Sequence, residues 1–153
     1  MASTLTSGTL IVNTREECVL DGSDVGGTRA FTEPSIRVYS RQFRKIVTDI
    51  SDPDADIILS FNGSPTDRDF DNDDVKYVRV TNLDGANDLA VVLGVTGGGN
   101  YTFRIKPGHS FTMGSPNDYF KASLGAPNID VVQIKAAYIT GPSIDIEIVV
   151  GSA

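Results

Sequence analysis

The single histidine of this 153-residue chain, His109, is the residue that any histidine-dependent catalytic site would need. Ser-His-Asp and Cys-His sites use an imidazole as the general base that activates the nucleophile. Here the imidazole lies in the sequence Pro107-Gly108-His109-Ser110, and Ser110 is a poor partner because adjacent residues on an extended chain point in opposite directions. The sequence therefore predicts a histidine in a surface turn and no catalytic residue.

The single cysteine, Cys18, offers no evident nucleophile either. It follows Glu16 and Glu17, whose negative charges disfavour a thiolate, so we expect a buried or inert side chain. One cysteine and one histidine cannot supply the ligands of a usual zinc site, and one cysteine cannot form an intramolecular disulfide. The fold must then be stable by packing alone, which fits assembly in a reducing cytoplasm.

Acidic residues at every second position are the best candidates for metal ligands. Four of them begin like a calcium loop, which gathers hard oxygen ligands at this spacing: Asp67, Asp69, Asp71 and Asp73. However, Asn72 occupies the position of the tight-turn glycine, and Val78 occupies that of the bidentate glutamate. We therefore weigh a calcium site against a solvated acidic loop, and the solvated loop is favoured.

Two further kinds of site find little support in the sequence. Glycoside hydrolysis needs two carboxyl groups across a cleft, usually with aromatic platforms for sugar rings, and this chain has no Trp and 8% aromatic residues. The glycines Gly97 to Gly99 lack both the GxxxxGK[ST] pattern and a following helix, so they do not predict a phosphate-binding loop. We therefore predict that the protein is not an enzyme and needs no cofactor.

The formal net charge of −7, from 13 Lys and Arg against 20 Asp and Glu, disfavours a nucleic-acid partner. Four basic residues nevertheless cluster in one segment: Arg37, Arg41, Arg44 and Lys45. They could face an acidic partner, but a solvated strand face is the favoured interpretation. Residues 1–14 lack the charged and apolar regions of a signal peptide, and no apolar run is long enough to span a bilayer, so we expect no membrane contact.

Nearly every apolar segment alternates with a period of two or is a short β-branched run, and Gly, Pro, Asn and Asp separate the segments. The clearest pair is 131–140 and 143–150, which we predict to form a hairpin around Gly141-Pro142 with one face toward solvent. Further strands are predicted over 36–50, 57–61, 76–82, 89–95, 101–105 and 110–113. Shorter candidates lie at 10–12, 18–20 and 29–31.

Many short strands, separated by turn residues, are typical of two sheets that bury one face of each strand. We predict an all-β, antiparallel β-sandwich of jelly-roll-like form. Residues 1–15, which begin with small and polar side chains, are expected to form a short N-terminal arm. Residues 16–153 are expected to form a single sandwich domain.

Three stretches in the second half of the chain share a strand-and-turn pattern: Val78-Arg79-Val80-Thr81-Asn82-Leu83, Leu89-Ala90-Val91-Val92-Leu93-Gly94 and Tyr101-Thr102-Phe103-Arg104-Ile105-Lys106-Pro107-Gly108. Phe111, Met113 and Tyr119-Phe120-Lys121-Ala122 continue it. This pattern resembles one found in small virion proteins of tailed bacteriophages, and it covers residues 78–150, about half of the chain. In particular, the chain resembles a jelly-roll capsid decoration, or cement, protein.

The resemblance implies a virion structural protein without catalytic residues, which stabilises the phage head by bridging capsomers. It implies the major capsid protein or other virion proteins as partners, and self-association into a homo-oligomer, with a trimer favoured. The chain would be made and assembled in the host cytoplasm and located in the virion. Two alternatives remain open, namely a tail or neck structural component and a carbohydrate- or receptor-binding module of lectin-like fold.

Overall fold

The computed structural model describes residues 7–51, 55–61, 70–71, 74–114 and 131–153 of the chain. These residues form strands and connections without a helix, so no described helix is long and apolar enough to cross a membrane. The strands are β1 Gly8–Glu16, β2 Val19–Leu20, β3 Ser23–Asp24, β4 Gly27–Ile36, β5 Val38–Ile46, β6 Asp56–Ser60, β7 Val75–Asn82, β8 Leu89–Val95, β9 Asn100–Ile105, β10 Ser110–Met113, β11 Val131–Tyr138 and β12 Ile144–Ser152.

Strands β5 to β12 form two four-stranded antiparallel sheets, ordered β10-β7-β12-β5 and β6-β11-β8-β9. Among these eight strands, only β8 and β9 are consecutive in sequence and also neighbours in a sheet. Every other connection passes from one sheet to the other, which interlocks two Greek keys into a jelly roll. The prediction of an all-β, antiparallel, jelly-roll-like sandwich is confirmed.

The predicted hairpin at the end of the chain is wrong in one respect, although both of its strands exist. Strand β11 pairs with β6 and β8, whereas β12 pairs with β5 and β7, so the two strands lie in opposite sheets. Residues 139–143 can span the roughly 10 Å that separates packed sheets. The crossing lets Ile134 of β11 and Ile146 of β12 join one core from opposite sides.

The core lies between the two sheets and consists of aliphatic side chains from alternate strand positions. The largest of those that are less than 2% exposed are Ile46, Leu89, Leu93, Ile134, Ile144, Ile146, Ile148, Val75, Val78, Val80, Val91 and Val131. Complete burial of such a side chain stabilises the fold by about 1.5–3 kcal/mol. The β-branched residues that predicted strands therefore also form the packed interior.

The solvent-facing side of β12 differs from the predicted one. Of the polar residues expected to be wet, Asp145 is exposed, but Glu147 is buried, and Val149 and Gly151 further along the same face are buried as well. Side chains of neighbouring strands and of the hairpin cover this face: Arg41 of β5 and Arg79 of β7 lie on Glu147, and Leu10 of β1 lies against Gly151. Strand β12 is therefore covered on both faces.

Of the expected N-terminal arm, residues 1–6 lie outside the described residues, and residues 8–15 belong to a larger unit. Strand β1 pairs with β4 from Leu10↔Glu33 to Glu16↔Gly27, and the short strands β2 and β3 pair beyond it. An extended strand needs hydrogen-bond partners for its backbone, and here β4 supplies them. The predicted boundary at residue 15 therefore falls inside this hairpin, defined here as residues 8–36, and the sandwich begins with β5.

At one end of the sandwich, the buried side chain of Asn82 forms hydrogen bonds with two different segments. Its Nδ2 donates to the carbonyl oxygens of Asn87, at 2.8 Å, and Ile105, at 3.1 Å, while its Oδ1 accepts from the N–H of Asp84 at 3.0 Å. Asp84 in turn accepts from two backbone N–H groups of the same loop, and these hydrogen bonds lower its pKa. One amide thus joins the connection after β7 to the end of β9.

The assigned core predicts that an Ile→Ala substitution lowers the free energy of unfolding far more at one position than at another. Ile146→Ala removes a side chain that is 0% exposed and should lower the free energy of unfolding by about 2–5 kcal/mol, because it leaves a cavity between the sheets. Ile57→Ala is the matched control, since Ile57 is 53% exposed, and it should cost less than about 1 kcal/mol. Urea unfolding followed by far-UV circular dichroism measures both, and equal losses would contradict the assigned core.

Candidate interaction surface

The predicted calcium ligands lie largely outside the described residues, which include Asp71 but not Asp67, Asp69 or Asp73. The carbonyl oxygen of Asp71 accepts from the N–H groups of Asp74 and Val75, each at 3.2 Å. Within the described part of the chain, no group of three or more His, Cys, Asp or Glu residues could hold a metal ion. The calcium hypothesis therefore stays a prediction.

His109 is exposed and lies in the turn between β9 and β10. Its Nδ1 is 2.8 Å from the carbonyl oxygen of Pro107, and Gly108 adopts a positive φ of 72° that suits the turn. The hydroxyl of Ser110 is hydrogen-bonded to that of Thr81 on the neighbouring strand, at 2.8 Å. The structure therefore does not pair His109 with Ser110.

Cys18 is exposed, so of the two expectations, a buried or an inert cysteine, burial is wrong and inertness stays a prediction. It lies in the outer part of the hairpin, where every residue from 13 to 25 is exposed. Its carbonyl oxygen accepts from the N–H of Val25 at 2.7 Å, which links the two sides of the hairpin at this point. The thiol is therefore presented to solvent on a backbone that is held by hydrogen bonds.

The tight turn at the end of the hairpin has a recognisable local sequence, which is independent of the alternation that predicts strands. Asp21 and Gly22 both adopt positive φ, at 49° and 81°, and they connect the paired residues Leu20 and Ser23. Positive φ at both central residues defines a type I′ turn, for which Asp-Gly is a favoured dipeptide. This dipeptide between short strands could have predicted the hairpin, whereas the notion of an arm came from composition.

The inner part of the hairpin packs on the sandwich, across the outer face of the β10-β7-β12-β5 sheet. A methyl group placed on Gly151 of β12 would approach Leu10 Cδ2 to 3.2 Å and Ile36 Cδ1 to 3.4 Å, so both side chains touch the sheet there. Farther along the hairpin, Val12, Thr14 and Phe31 line a groove whose other side is formed by Tyr77 of β7 and by Thr112, Met113 and Gly114 of β10 and its end. The hairpin therefore runs from β12 toward the β10 side of the sheet.

The outer part of the hairpin presents apolar side chains that the described part of its own sandwich leaves exposed. We define the hairpin tip as residues 16–25, and its large apolar side chains are each more than half exposed: Val19, Leu20 and Val25. A two-stranded hairpin is at best marginally stable in water, and three or more strands or a packing partner are needed for stability. The tip is therefore a strong candidate for a surface that another protein covers.

A second apolar surface lies at the opposite side of the same sheet. Strand β5 is an edge strand that pairs with β12 alone among the described strands. We define the β5 edge as residues 37–47, and four of its large apolar side chains are more than half exposed: Val38, Tyr39, Phe43 and Val47. Long, exposed and apolar edge strands are sites of association in native proteins unless something covers them.

The basic residues singled out in the sequence all lie on the β5 edge. Arg41 places its guanidinium 5.2 Å from the centre of the Phe43 ring and donates to Glu147. On the other side of the strand, Arg44 Nη2 donates to Gln42 Oε1 at 3.1 Å, and Gln42 Nε2 donates to Ser40 Oγ at 3.2 Å. The predicted solvated strand face is thus an exposed edge, but Arg41 also neutralises a buried acid.

Glu147 is the centre of an ion triad on the outer face of the sheet, between strands β5 and β7. Its side chain is 6% exposed, Arg79 Nη2 donates to Oε2 at 2.6 Å, and Arg41 Nε donates to Oε1. Burial raises the pKa of Glu147, but the hydrogen bonds and positive charges of Arg41 and Arg79 outweigh it, and the net shift is downward. The triad therefore keeps the buried Glu147 carboxylate ionised, and it links strands β5, β12 and β7.

The triad predicts a specific dependence of stability on pH. Because the pKa of Glu147 is lower in the folded chain than in the unfolded chain, its stabilisation is complete above the unfolded value of about 4.3 and is lost as the pH falls through the folded value. Glu147→Gln should lower the free energy of unfolding by about 1–3 kcal/mol at pH 7, and by less at pH 3.

Asp145→Asn is the matched control for this variant, on the same strand. The Asp145 carboxylate is exposed and 4.0 Å from Lys45 Nζ, a surface pair of small expected value, so this change should have little effect at either pH. Urea midpoints at pH 7 and pH 3 test the prediction. Equal losses for Glu147→Gln at the two pH values would contradict it.

No family model matches this chain, and neither a curated protein nor a solved structure shows significant similarity to it. The assignment of a jelly roll accordingly depends on the strand order and register described above. Functional inference depends likewise on this chain's own surfaces, above all the hairpin tip and the β5 edge.

Proposed function

We propose that this protein is a virion structural protein that decorates a phage head and bridges neighbouring capsid proteins. The observation that carries the proposal is the hairpin, whose outer residues from 13 to 25 are all exposed while its base is anchored on the sandwich. A protruding element with three exposed apolar side chains, Val19, Leu20 and Val25, is typical of a surface that a partner covers. Such an element suits a protein whose function is to bind other proteins.

The described residues behind the resemblance to phage virion proteins support the same proposal, because most of them lie in the strands and turns of the sandwich. Asn82 joins the loop after β7 to β9, and the N–H of Gly108 donates to the carbonyl oxygen of Asn82 at 3.0 Å. Jelly rolls also occur in lectins and cupins, so the fold alone does not select a function. The resemblance and the hairpin together favour the structural role.

Bridging by such a protein would depend on contact area and on copy number. A stable interface typically removes about 1,600 Å² of surface in total, and the hairpin tip offers both of its faces in addition to the sandwich. Contacts that are weak one by one become effective when many copies bind one repetitive surface. The proposed partners are the major capsid protein or other virion proteins, and the proposed form is a homo-oligomer, with a trimer favoured.

A carbohydrate- or receptor-binding module is the second candidate, and the loop between β8 and β9 favours it. Gly97 and Gly98 adopt positive φ values of 88° and 87°, and Tyr101 follows them with 45% of its surface exposed. An exposed tyrosine beside a tight loop is a common platform for a sugar ring. Binding to a glycan array that is lost in Tyr101→Ala would support this candidate, and loss on chelation would add the acidic segment to it.

The structural proposal predicts the location and abundance of the protein in virions of the phage that encodes it. Quantitative mass spectrometry of purified virions should detect it in roughly hundreds of copies if it decorates the head, and in about six or twelve if it belongs to the neck or tail. Heads stripped of the protein should rebind the purified chain and become more resistant to heat. Failure to bind any part of the virion would overturn the proposal.

A further inference from the structure

We infer that copies of this chain associate head to tail, with the hairpin tip of one copy seated on the β5 edge of the next. The inference extends the proposed function, in which the protein acts as a homo-oligomer, by naming the two surfaces that meet. It depends on their charges, on their exposed apolar side chains, and on their positions at opposite sides of one sheet.

The two surfaces carry equal and opposite formal charges. The hairpin tip contains no Lys or Arg and four acids: Glu16, Glu17, Asp21 and Asp24. The β5 edge contains no Asp or Glu and four bases: Arg37, Arg41, Arg44 and Lys45. Within the copy, Glu17 meets Arg15 at 3.5 Å and Lys45 meets Asp145 at 4.0 Å, both as exposed pairs of small value, and Arg41 is paired with Glu147. Complementary potentials of this kind guide association and fix its register.

The apolar side chains of the two surfaces are also suited to each other. Val19, Leu20 and Val25 of the tip are aliphatic, and Tyr39 and Phe43 of the edge provide exposed aromatic faces. Aromatic residues together with arginine are enriched at the centres of protein interfaces. A contact between tip and edge would therefore bury an apolar centre inside a ring of charges.

The positions of the two surfaces require a second copy. The hairpin contacts β12 near its base and lines a groove with β10 farther along, so the tip lies toward the β10 side. In the sheet order β10-β7-β12-β5, the β5 edge is at the opposite side. Residues 15–20 extend by up to about 20 Å beyond that groove at about 3.3 Å per residue. The tip therefore points away from the β5 edge of its own copy and toward that of a neighbour.

A contact between two different surfaces of identical chains is heterologous, and a ring forms where the rotation between copies closes. Strand β5 also has one row of backbone groups that faces away from the sheet, which an extended segment of the next copy can pair with. Both the side chains and the backbone of the β5 edge thus suit an extended, acidic hairpin tip. In a closed ring of three copies, every hairpin tip would contact the β5 edge of the next copy.

Charge reversal with rescue tests the inference on the purified full chain, by sedimentation at equilibrium. The tip variant is Glu16→Lys with Glu17→Lys, and the edge variant is Arg44→Glu with Lys45→Glu. Each should raise the apparent dissociation constant of the wild-type oligomer at least about tenfold in low salt, because the altered surface then has a formal charge of zero and its reversed residues repel the unchanged partner surface. Lys106→Glu, in an exposed turn outside both surfaces, is the control and should leave the oligomer unchanged.

Combining the tip and edge variants in one chain exchanges two charges between the surfaces and should restore the oligomer, because the introduced lysines can then pair with the introduced glutamates. Failure of this rescue would show that the surfaces do not meet, and a monomeric wild-type chain would overturn the inference directly. Circular dichroism confirms that each variant is folded, and Leu20→Ser gives a second disruption of the tip without added charge. Sodium chloride at about 1 M should weaken the wild-type oligomer, since it shortens the screening length to about 3 Å.

The exposed Cys18 allows an independent test by disulfide formation. In Phe43→Cys, oxidation of two thiols by diamide should link Cys18 of one copy to the introduced cysteine of the next and give a series of multimers on a non-reducing gel. Lys106→Cys is the control and should give no such series. Multimers from the control alone would contradict the proposed contact.

These outcomes are separable from those of the proposed function. An oligomer that shows the rescue but binds no virion supports the contact and overturns the structural role. A monomer that binds virions, and loses this binding in the tip variant, means that a capsid protein covers the tip, which overturns the contact and keeps the structural role.

Discussion

Strand β12 is buried on both faces, and the rest of the fold depends on that double burial. Its inner residues, among them Ile146 and Ile148, need the opposite sheet to exclude water. Its outer residues need a second cover, which the Arg41–Glu147–Arg79 triad supplies near the middle of the strand and Leu10 and Ile36 supply at Gly151. The hairpin is therefore part of the packing of the sheet as well as a protruding element.

Local features of the sequence predict most of the strands, because alternation and turn chemistry act over a few residues. Strands β7, β8 and β9 lie close to their predicted ranges, and the turns at Gly97-Gly98 and Gly108 have the positive φ that glycine allows. The pairing of β8 with β9 is the one sequential hairpin among the described sandwich strands. The fold class follows from such patterns, since many short alternating strands have few ways to bury one face each.

The arrangement of strands in sheets could not be predicted in this way, since the alternation of β11 and β12 is the same whether they pair or face each other. Glu147 occupies a position that the alternation assigns to solvent. Its burial is stable because two arginines, from β5 and β7, compensate the cost of removing its charge from water. The short candidates at 10–12, 18–20 and 29–31 fall on β1, β2 and β4, but their pairing as one hairpin was not predicted, because exposed residues such as Val19 and Leu20 have no periodic pattern. The Asp21-Gly22 dipeptide is the sequence feature from which this turn could have been predicted.

The pairing of β5 with β12 also bears on the order of events during synthesis. Strand β5 leaves the ribosome long before its partner, and its register from Val38↔Ser152 to Ile46↔Ile144 cannot form until β12 has been made. The β10-β7-β12-β5 sheet therefore stays incomplete on the nascent chain, because β12 is its link between β7 and β5. Neighbouring nascent chains on one messenger RNA would therefore lack the finished β5 edge that the proposed contact between copies uses.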